Sequence, residues 1–319
     1  MKKALITGIT GFAGSYLAEC LLSTRKYHVS GTYLLAESLG NVGTIRDKLN
    51  LIKADLSSEK KVFDIVKETS PQIIFHLAAL ASPAGSFNNP TETLTNNISL
   101  QVNILEAVRK NNLLDTKILV VSSADIYGRV VKEDLPIDEQ TPLMPTSPYS
   151  VSKIAQDFLG LFYFLSYKLK VVRVRPFNHI GPKQSPHFVV SSFAKQIAEI
   201  EKGKREPVLH VGNLDAKRDF TNVKDIVSAY ILAIEKGKDG EVYNIGSGIS
   251  YKISDILSKL IHMSSATIKI EKDEALLRPS DNLELVCDSS KFTKLTGWKP
   301  QISITTTLKD TLDYWRKII

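Results

Sequence analysis

A tyrosine and a lysine, Tyr149 and Lys153, stand at positions i and i+4 in the stretch YSVSK. On a helix these two positions lie on one face. An ammonium group beside a phenol stabilises the phenolate, so we expect Lys153 to lower the pKa of Tyr149. Such a tyrosine can exchange a proton with a hydroxyl or ketone while a hydride moves to or from a nicotinamide. Pairs with this spacing also arise by chance, so their meaning depends on context.

The context is a glycine-rich turn near the start of the chain, TGITGFAG at residues 7–14. A strand pattern precedes it and an apolar helix pattern follows it, as a dinucleotide-binding turn requires. Gly8 permits a tight turn, Gly11 lets the backbone approach a pyrophosphate, and Gly14 lets the helix pack close to the strand. The helix N-terminus then presents free N–H groups to the phosphates. A tight turn without a ligand is the alternative.

Strand and helix patterns alternate through the first half of the chain. Strands are predicted at residues 3–7, 28–33, 50–54, 72–78, 117–122 and 170–176. The alternation predicts an α/β protein with a Rossmann-type, doubly wound parallel sheet. Ligands of such sheets bind beyond the carboxyl ends of the strands. The residues that follow predicted strands are Gly8, Asp55, Ala78, Ser123 and Asn178.

Prolines and glycines interrupt the pattern after residue 177. We predict a dinucleotide-binding domain made of residues 1–177 plus about 222–246. A smaller C-terminal α/β substrate-binding lobe would consist of about 178–221 and 247–319. A cleft between the two would receive the substrate, because ligand pockets often form between domains.

The bulk properties are those of an ordinary soluble protein, with 319 residues, 43% hydrophobic and 24% charged. The formal net charge of +7 is spread in short clusters, without a basic run that would track nucleic acid. Cys20 and Cys287 lack metal-site spacing and the histidines are scattered, so no metal is expected. We see no secretory signal after Met1 and no stretch long enough to span a membrane, and expect a cytoplasmic protein.

The motifs together resemble the extended short-chain dehydrogenase/reductase family, in its nucleotide-sugar branch. The segments that carry the resemblance further along the chain are Ala54-Asp55-Leu56, His76-Leu77-Ala78-Ala79, Ser122-Ser123, Arg175-Pro176-Phe177-Asn178, Arg218-Asp219-Phe220 and Arg278-Pro279-Ser280. Within the branch, residues 175–185, 195–203 and 211–226 are similar to GDP-4-keto-6-deoxy-D-mannose reductases, which make GDP-D-rhamnose. The opening residues are similar to GDP-mannose 4,6-dehydratases. The resemblance implies NADP or NAD as coenzyme and a GDP-sugar as substrate.

The resemblance also implies roles for individual residues. Ser123 would hold the sugar C4 oxygen, Tyr149 would pass the proton, and Lys153 would bind the nicotinamide ribose and tune the tyrosine. The implied coenzyme-binding residues are Gly8, Thr10, Gly11, Phe12, Ala13, Gly14, Asp55, Leu56, Leu77, Ala78, Ala79, Tyr149 and Lys153. The implied substrate-binding residues are Ser82, Ser86, Ser123, Asn178, Arg218 and Arg278. Guanidinium groups suit phosphate oxygens, although surface ion pairs are the alternative for both arginines. His179 could contact the substrate or could have a structural role in its loop.

Two stretches depart from the family pattern. At the end of the second strand an acid normally binds the ribose 2′-hydroxyl, and a nearby arginine binds a 2′-phosphate. This chain has Tyr33 where the acid would fall and Leu34 where the arginine would fall. Glu37 or Arg46 could substitute, so the choice between NAD and NADP stays open at this point.

The second departure is Asp125. Dehydratases of this branch usually place a glutamate two residues after the Ser/Thr, and Asp125 holds that position with a shorter side chain. It could act as a base or brace the strand end. We therefore expect an NAD(P)H-dependent reductase of the C4 ketone of GDP-4-keto-6-deoxy-D-mannose. The alternatives are a GDP-mannose 4,6-dehydratase, a nucleotide-sugar 4-epimerase and a catalytically silent nucleotide sensor.

The resemblance further implies a homodimer formed by helices near 96–110 and 150–168. The second helix carries an apolar stripe at helical spacing, Ala155, Phe158, Leu159, Phe162 and Leu165. Such a stripe is also what a helix packed on its own core would show.

Overall fold

The structure, a computed structural model, describes residues 1–277 and 283–319. The strands are β1 (Lys2–Thr7), β2 (Tyr27–Tyr33), β3 (Asn50–Lys53), β4 (Ile73–His76), β5 (Lys117–Val121), β6 (Lys170–Pro176), β7 (Asn178–Ile180), β8 (Val208–Val211), β9 (Lys217–Asn222), β10 (Val242–Ile245), β11 (Ser250–Lys252), β12 (Lys269–Lys272) and β13 (Glu284–Leu285). The helices are α1 (Phe12–Ser23), α2 (Glu59–Thr69), α3 (Pro83–Asn88), α4 (Pro90–Lys110), α5 (Pro148–Tyr167), α6 (Val189–Glu201), α7 (Val223–Lys236), α8 (Ile253–His262), α9 (Ser290–Thr296) and α10 (Ile304–Ile318). Short 3-10 segments include Ala36–Lys48 after β2 and Ala124–Ile126 after β5.

Seven parallel strands form the main sheet, in the order β10-β6-β5-β4-β1-β2-β3. From β1 the chain proceeds outward to β2 and β3, and it then returns to the other side of β1 to add β4, β5 and β6. The reversal between β1 and β4 is the topological switch point, where ligands of open α/β sheets bind. The predicted α/β fold with a Rossmann-type, doubly wound sheet is confirmed.

Helices cover both faces of this sheet. On one face, Ile6 and Phe75 pack in a core with α1 and α7. On the other face, Leu5 and Ile74 pack in a core with α2, α4 and α5. Successive residues of a strand point to opposite faces, so strands covered on both sides are apolar throughout. Because helices cover both faces of the sheet, the ends of its strands remain accessible to a ligand.

Two smaller sheets lie outside the main sheet. Strand β9 pairs with β7, β11 and β13, and β8 pairs with β12. Helices α6, α8 and α10 surround a separate apolar core that includes Ile197, Leu257 and Leu312. The division of the chain at residues 177, 222 and 246 stays a prediction. Within the described part of the chain, no helix is long and apolar enough to cross a lipid bilayer.

Candidate active site

The carboxyl ends of β1, β4, β5 and β6 lie side by side at one edge of the main sheet. Strand pairing places Thr7 opposite His76, and His76 opposite Val120 on β5. The backbone then continues into the glycine turn after β1 and into Leu77 after β4. Because parallel strands all end at this edge, loops that are distant in sequence meet there.

The glycine turn after β1 forms a close-fitting backbone cradle. Gly8 adopts φ +68°, and a Cβ at this position would lie 3.1 Å from Ala78 Cα. A Cβ on Gly14 would lie 2.3 Å from the carbonyl oxygen of Gly8. Helix α1 begins at Phe12 with Gly11 as its N-cap. Glycine has no side chain to accept from the first N–H groups of the helix, so these groups fit a pyrophosphate.

One hydroxyl joins the glycine turn to the segment after β4. Thr7 Oγ1 accepts hydrogen bonds from the N–H groups of Leu77 and Ala78, both over 3.1 Å. The same oxygen lies 2.9 Å from Nδ1 of the buried His76. The two loops are therefore held together as a single surface.

The start of α5 positions the tyrosine and the lysine. Ser147 and Ser150 form a reciprocal capping box, and Pro148 occupies the first helical position. Tyr149 and Lys153 are both buried, at 7% and 5% exposure. Lys153 Nζ lies 5.9 Å from the centre of the Tyr149 ring and donates to the Val121 carbonyl over 2.9 Å. The capped helix thus places both groups next to the end of β5.

Two serines at the end of β5 contact α5. Ser122 Oγ donates to the Lys153 carbonyl over 3.1 Å. Ser123 Oγ accepts from the N–H of Asp125 over 3.1 Å, which caps the 3-10 segment, and Ser123 also hydrogen-bonds with Tyr149. Ser123, Asp125 and Tyr149 therefore share one small site.

Burial dominates the electrostatics of this site. It raises the pKa of Tyr149, and the nearby carboxylate of Asp125 raises it further, while the hydrogen bond with Ser123 lowers it. Burial lowers the pKa of Lys153 to about 7. The net shift of the Tyr149 pKa is therefore upward, opposite to the lowering expected from Lys153, because burial desolvates the phenolate and Lys153 is itself desolvated. Tyr149 is protonated at neutral pH.

Strand β7 meets the start of α1 through two stacked rings. The rings of Phe12 and His179 lie 5.8 Å apart and nearly parallel, at 4°. His179 Nδ1 lies 3.3 Å from the Phe177 carbonyl, and burial lowers the pKa of His179. Asn178 is exposed beside this pair. Strand β7 is thus placed next to the start of α1.

Comparison with known proteins identifies the family. Residues 5–311 match the family model described as GDP-mannose 4,6 dehydratase. The chain belongs to this family. It is 32% identical to the GDP-6-deoxy-D-mannose reductase of Pseudomonas aeruginosa, over 98% of this chain and 97% of the relative. It is 30% identical to the GDP-mannose 4,6-dehydratase of Yersinia enterocolitica, over 95% of this chain and 91% of that relative.

A solved structure agrees with this assignment. RMD from P. aeruginosa, solved in complex with NADPH, superposes with a TM-score of 0.87 at 30% identity and covers 100% of both chains. Membership of the family confirms the prediction of an NAD(P)-dependent nucleotide-sugar oxidoreductase. The relatives include a reductase and a dehydratase, which differ in the reaction that they catalyse.

Several residues that the sequence singled out occupy the expected strand ends with local structural partners. Asp55 accepts from the N–H of Ser57 over 2.9 Å, and this hydrogen bond lowers its pKa. Leu56 is buried in the core on the α4 and α5 side. Thr10 forms a 2.7 Å hydrogen bond with Ser38 in the 3-10 segment after β2. Their coenzyme contacts stay a prediction.

Ser82 and Ser86, at the start of α3 and within it, differ in accessibility. Ser82 is the N-cap of α3, where its hydroxyl accepts from the N–H of Gly85. Ser86 is 1% exposed, and its hydroxyl donates to the Pro83 carbonyl over 2.7 Å. In this conformation Ser82 lies nearer to solvent than Ser86 does, so of the two it is better placed to meet a sugar.

Of the two family arginines, the structure describes Arg218. Arg218 is half-buried in β9, and its Nη1 donates to the Lys217 carbonyl over 2.8 Å. Strand β9 pairs with β7 so that Phe220, two residues after Arg218, lies opposite Asn178. Arg278 lies outside the described residues. Asn178 and Arg218 are therefore brought to one small sheet.

Sequence reasoning missed Asp219, the neighbour of Arg218. Its buried carboxylate accepts from the N–H groups of Ser247, Gly248 and Cys287, over 2.9, 2.8 and 3.2 Å. It therefore ties the loop after β10 and the segment after β13 to the strand that carries Arg218. Asp219 belongs to the Arg-Asp-Phe motif, but the sequence assigned a role only to the arginine of that motif.

Proposed function

We propose that this chain is an NAD(P)H-dependent reductase of the C4 ketone of a GDP-4-keto-6-deoxyhexose, GDP-4-keto-6-deoxy-D-mannose, with GDP-D-rhamnose as product. The observation that carries the proposal is the state of Tyr149. Its phenol is buried, hydrogen-bonded to Ser123 and protonated at neutral pH. Ketone reduction needs a proton donor at that place.

In the proposed reaction, bound NADH or NADPH supplies the hydride that is added to C4. Ser123 donates a hydrogen bond to the C4 oxygen and orients it toward Tyr149. Tyr149 gives its hydroxyl proton to that oxygen as negative charge develops there. Lys153, with its pKa near 7, binds the ribose hydroxyls and stabilises the tyrosinate that remains. Solvent then restores the proton of Tyr149.

The coenzyme would be held by the cradle and the loops joined to it. The proposed contacts are Gly8, Thr10, Gly11, Phe12, Ala13, Gly14, Asp55, Leu56, Leu77, Ala78, Ala79, Tyr149 and Lys153. The sugar nucleotide would be held at Ser82, Ser86, Ser123, Asn178, Arg218 and Arg278. Support for this division comes from the stacked Phe12 and His179, which bring β7, the pairing partner of the strand that carries Arg218, next to the start of α1.

A 4,6-dehydratase is the second candidate, and Asp125 is the observation that favours it. The Asp125 carboxylate holds the sequence position of a dehydratase base, and its negative charge raises the pKa of Tyr149. A dehydratase returns the hydride to its substrate and retains its coenzyme, whereas a reductase consumes and releases it. A 4-epimerase shares this retention and needs no acid at that position.

We also propose a homodimer, with α4 and α5 at the interface. Phe158, Phe162 and Leu165 on α5 are exposed at 49%, 47% and 56%. An apolar stripe on the surface of one subunit is what a helical interface presents before association.

The deciding experiment supplies freshly prepared GDP-4-keto-6-deoxymannose with NADH or NADPH, follows the loss of reduced coenzyme and identifies the sugar product. The expected result is stoichiometric oxidation with GDP-rhamnose formed. Tyr149→Phe serves as the matched control and should lose turnover by about two to four orders of magnitude while it still binds coenzyme.

Other outcomes select the alternatives. Conversion of GDP-mannose to the keto sugar without net oxidation, abolished in Asp125→Asn, would identify a dehydratase. Coenzyme that copurifies in stoichiometric amount would also count against a reductase. If neither reaction occurs, the GDP-sugar proposal is wrong and a screen for 4-epimerase activity follows.

A further inference from the structure

The exit of β2 is held against the glycine turn. Ser38 Oγ lies 2.7 Å from Thr10 Oγ1, and Asn41 Nδ2 donates to the Thr10 carbonyl over 2.9 Å. The carbonyl of Thr32, near the end of β2, accepts from the N–H of Ile9 over 3.0 Å. These contacts fix the segment between Tyr33 and Ser38 beside the cradle. Any ribose attached to a pyrophosphate in the cradle has to pass this segment.

The chemistry of this segment is apolar and acidic. The stretch 33–38 reads Tyr-Leu-Leu-Ala-Glu-Ser, in which Glu37 is the charged residue. Leu34 and Leu35 are exposed at 56% and 62%. A ribose 2′-phosphate set against two leucines and a carboxylate would lose hydration without gaining a cationic partner. A 2′-hydroxyl is neutral and loses far less.

Cations do occur in the neighbouring elements, and they differ in how they are placed. Lys53 is the register partner of Tyr33, on the adjacent strand β3. Arg46 lies in the last turn of the 3-10 segment, at the opposite end from Leu34. A lysine offers a single flexible point charge, whereas the bidentate fork of an arginine matches a phosphate. Neither residue belongs to the segment that the cradle contacts fix.

We propose that this chain selects NAD(H) over NADP(H), and that Leu34 is the residue that determines the selectivity. The inference rests on the proposed function for the presence of a dinucleotide in the cradle. The inference goes beyond the proposed function by choosing between the two coenzymes. Selection is passive: residues 33–38 contain no lysine or arginine that could bind the 2′-phosphate, and Tyr33 stands where an acid would bind the 2′-hydroxyl.

The test is direct binding by isothermal titration calorimetry, with NAD⁺ and NADP⁺ as probes and no sugar substrate present. In the unmodified chain NAD⁺ should bind at least about tenfold more tightly than NADP⁺. Leu34→Arg should tighten NADP⁺ binding by about tenfold, since one charge-assisted contact to phosphate has that effect. NAD⁺ binding should change by less than about threefold. Leu114→Arg, at an exposed leucine in the loop before β5, is the matched control and should change neither constant.

Tighter or equal binding of NADP⁺ by the unmodified chain would overturn the inference and leave the proposed function intact. If Lys53→Ala then removed that NADP⁺ binding, Lys53 would be the phosphate partner and Leu34 would not determine selectivity. Failure to bind either coenzyme would overturn the proposed function and this inference together.

Discussion

Thr7 Oγ1 lies 2.9 Å from His76 Nδ1, and the two residues are register partners on β1 and β4. The threonine oxygen already accepts from the N–H groups of Leu77 and Ala78, so its own proton is directed at Nδ1. His76 therefore accepts at Nδ1 and carries its ring proton on Nε2. Burial, with a contribution from the charge of Lys153, lowers the pKa of His76 to about 3.

A pH dependence of stability follows for His76. In the unfolded chain a histidine has a pKa of about 6.5, so below that pH the unfolded state binds a proton that the folded state excludes. The free energy of unfolding should fall as the pH drops from 6.5 toward 3, by about 1.4 kcal/mol per pH unit from this group. His76→Asn should flatten this slope in urea titrations between pH 6.5 and 4.5. His28→Asn, at an exposed histidine, should keep it. Equal slopes in all three proteins would refute the assignment.

Lys153 should cost stability below neutral pH. Its folded pKa of about 7 lies below the unfolded value of about 10.4. Between these two pH values Lys153 is protonated in the unfolded state but not in the folded state. The free energy of unfolding therefore rises with pH through this window, and this increase is absent below pH 7. Lys153→Met should therefore unfold at higher urea than the unmodified chain at pH 7, with an advantage that shrinks by roughly 2 kcal/mol by pH 9. Lys67→Met on the exposed side of α2 is the control. An advantage that stays constant with pH would count against the shifted pKa.

Removal of the Tyr127 hydroxyl should destabilise the fold. This hydroxyl donates to Asn244 Oδ1 over 2.7 Å and accepts from Arg175 Nη1 over 3.0 Å. Tyr127→Phe leaves both buried partners short of a hydrogen bond, with an expected loss of about 1–3 kcal/mol in the free energy of unfolding. Tyr167→Phe, at a residue that is 41% exposed, should change it by less than about 0.5 kcal/mol. Similar losses in the two variants would show that the buried hydrogen bonds of the Tyr127 hydroxyl do not stabilise the fold.

The glycine cradle should not tolerate a methyl group at Gly14. A Cβ there would lie 2.3 Å from the Gly8 carbonyl oxygen, so either α1 or the turn must move. Gly14→Ala should lose about 1–3 kcal/mol of stability and weaken coenzyme binding measured by calorimetry. At Gly43 no described heavy atom lies within 4 Å of an added Cβ. Gly43→Ala is therefore the control, and equal behaviour of the two variants would contradict the crowding argument.

Charge on the exposed face of α5 should prevent dimerisation. Phe158→Glu combined with Phe162→Glu places two carboxylates on the apolar stripe. Analytical ultracentrifugation should give a dimer for the unmodified chain and a monomer for the double variant. Leu114→Glu, at an exposed leucine elsewhere, should remain a dimer. A monomer for the unmodified chain would end the proposal.

The sequence predicted those features that depend on local pattern. The predicted strands at 170–176 and at 3–7 agree with β6 and β1 to within a residue, because buried parallel strands read as continuous apolar runs. The neighbourhood of Tyr149 and Lys153 followed from helical spacing, and Gly8 from the need for a positive φ.

Features that depend on the assembled fold could not be read in the same way. The pKa of Tyr149 is set by burial and by Asp125, and burial is a property of the packed chain. Ser86 is buried within α3, although its neighbours in the sequence do not indicate burial. Phe12 stacks on His179, although the two residues are far apart in the sequence. In each case a tertiary contact decided the outcome.

The position of β10 has a consequence for how the protein is made. This strand forms the edge of the main sheet beside β6, yet β7, β8 and β9 lie between the two in the chain. During synthesis β6 has an open edge until residue 245 has left the ribosome, by which time residues 178–221, the first part of the predicted substrate-binding lobe, have emerged. Shortening the chain before β10 would leave exposed strand edges that invite aggregation. The lobe that is proposed to receive the sugar is therefore also part of the route by which the coenzyme sheet is completed.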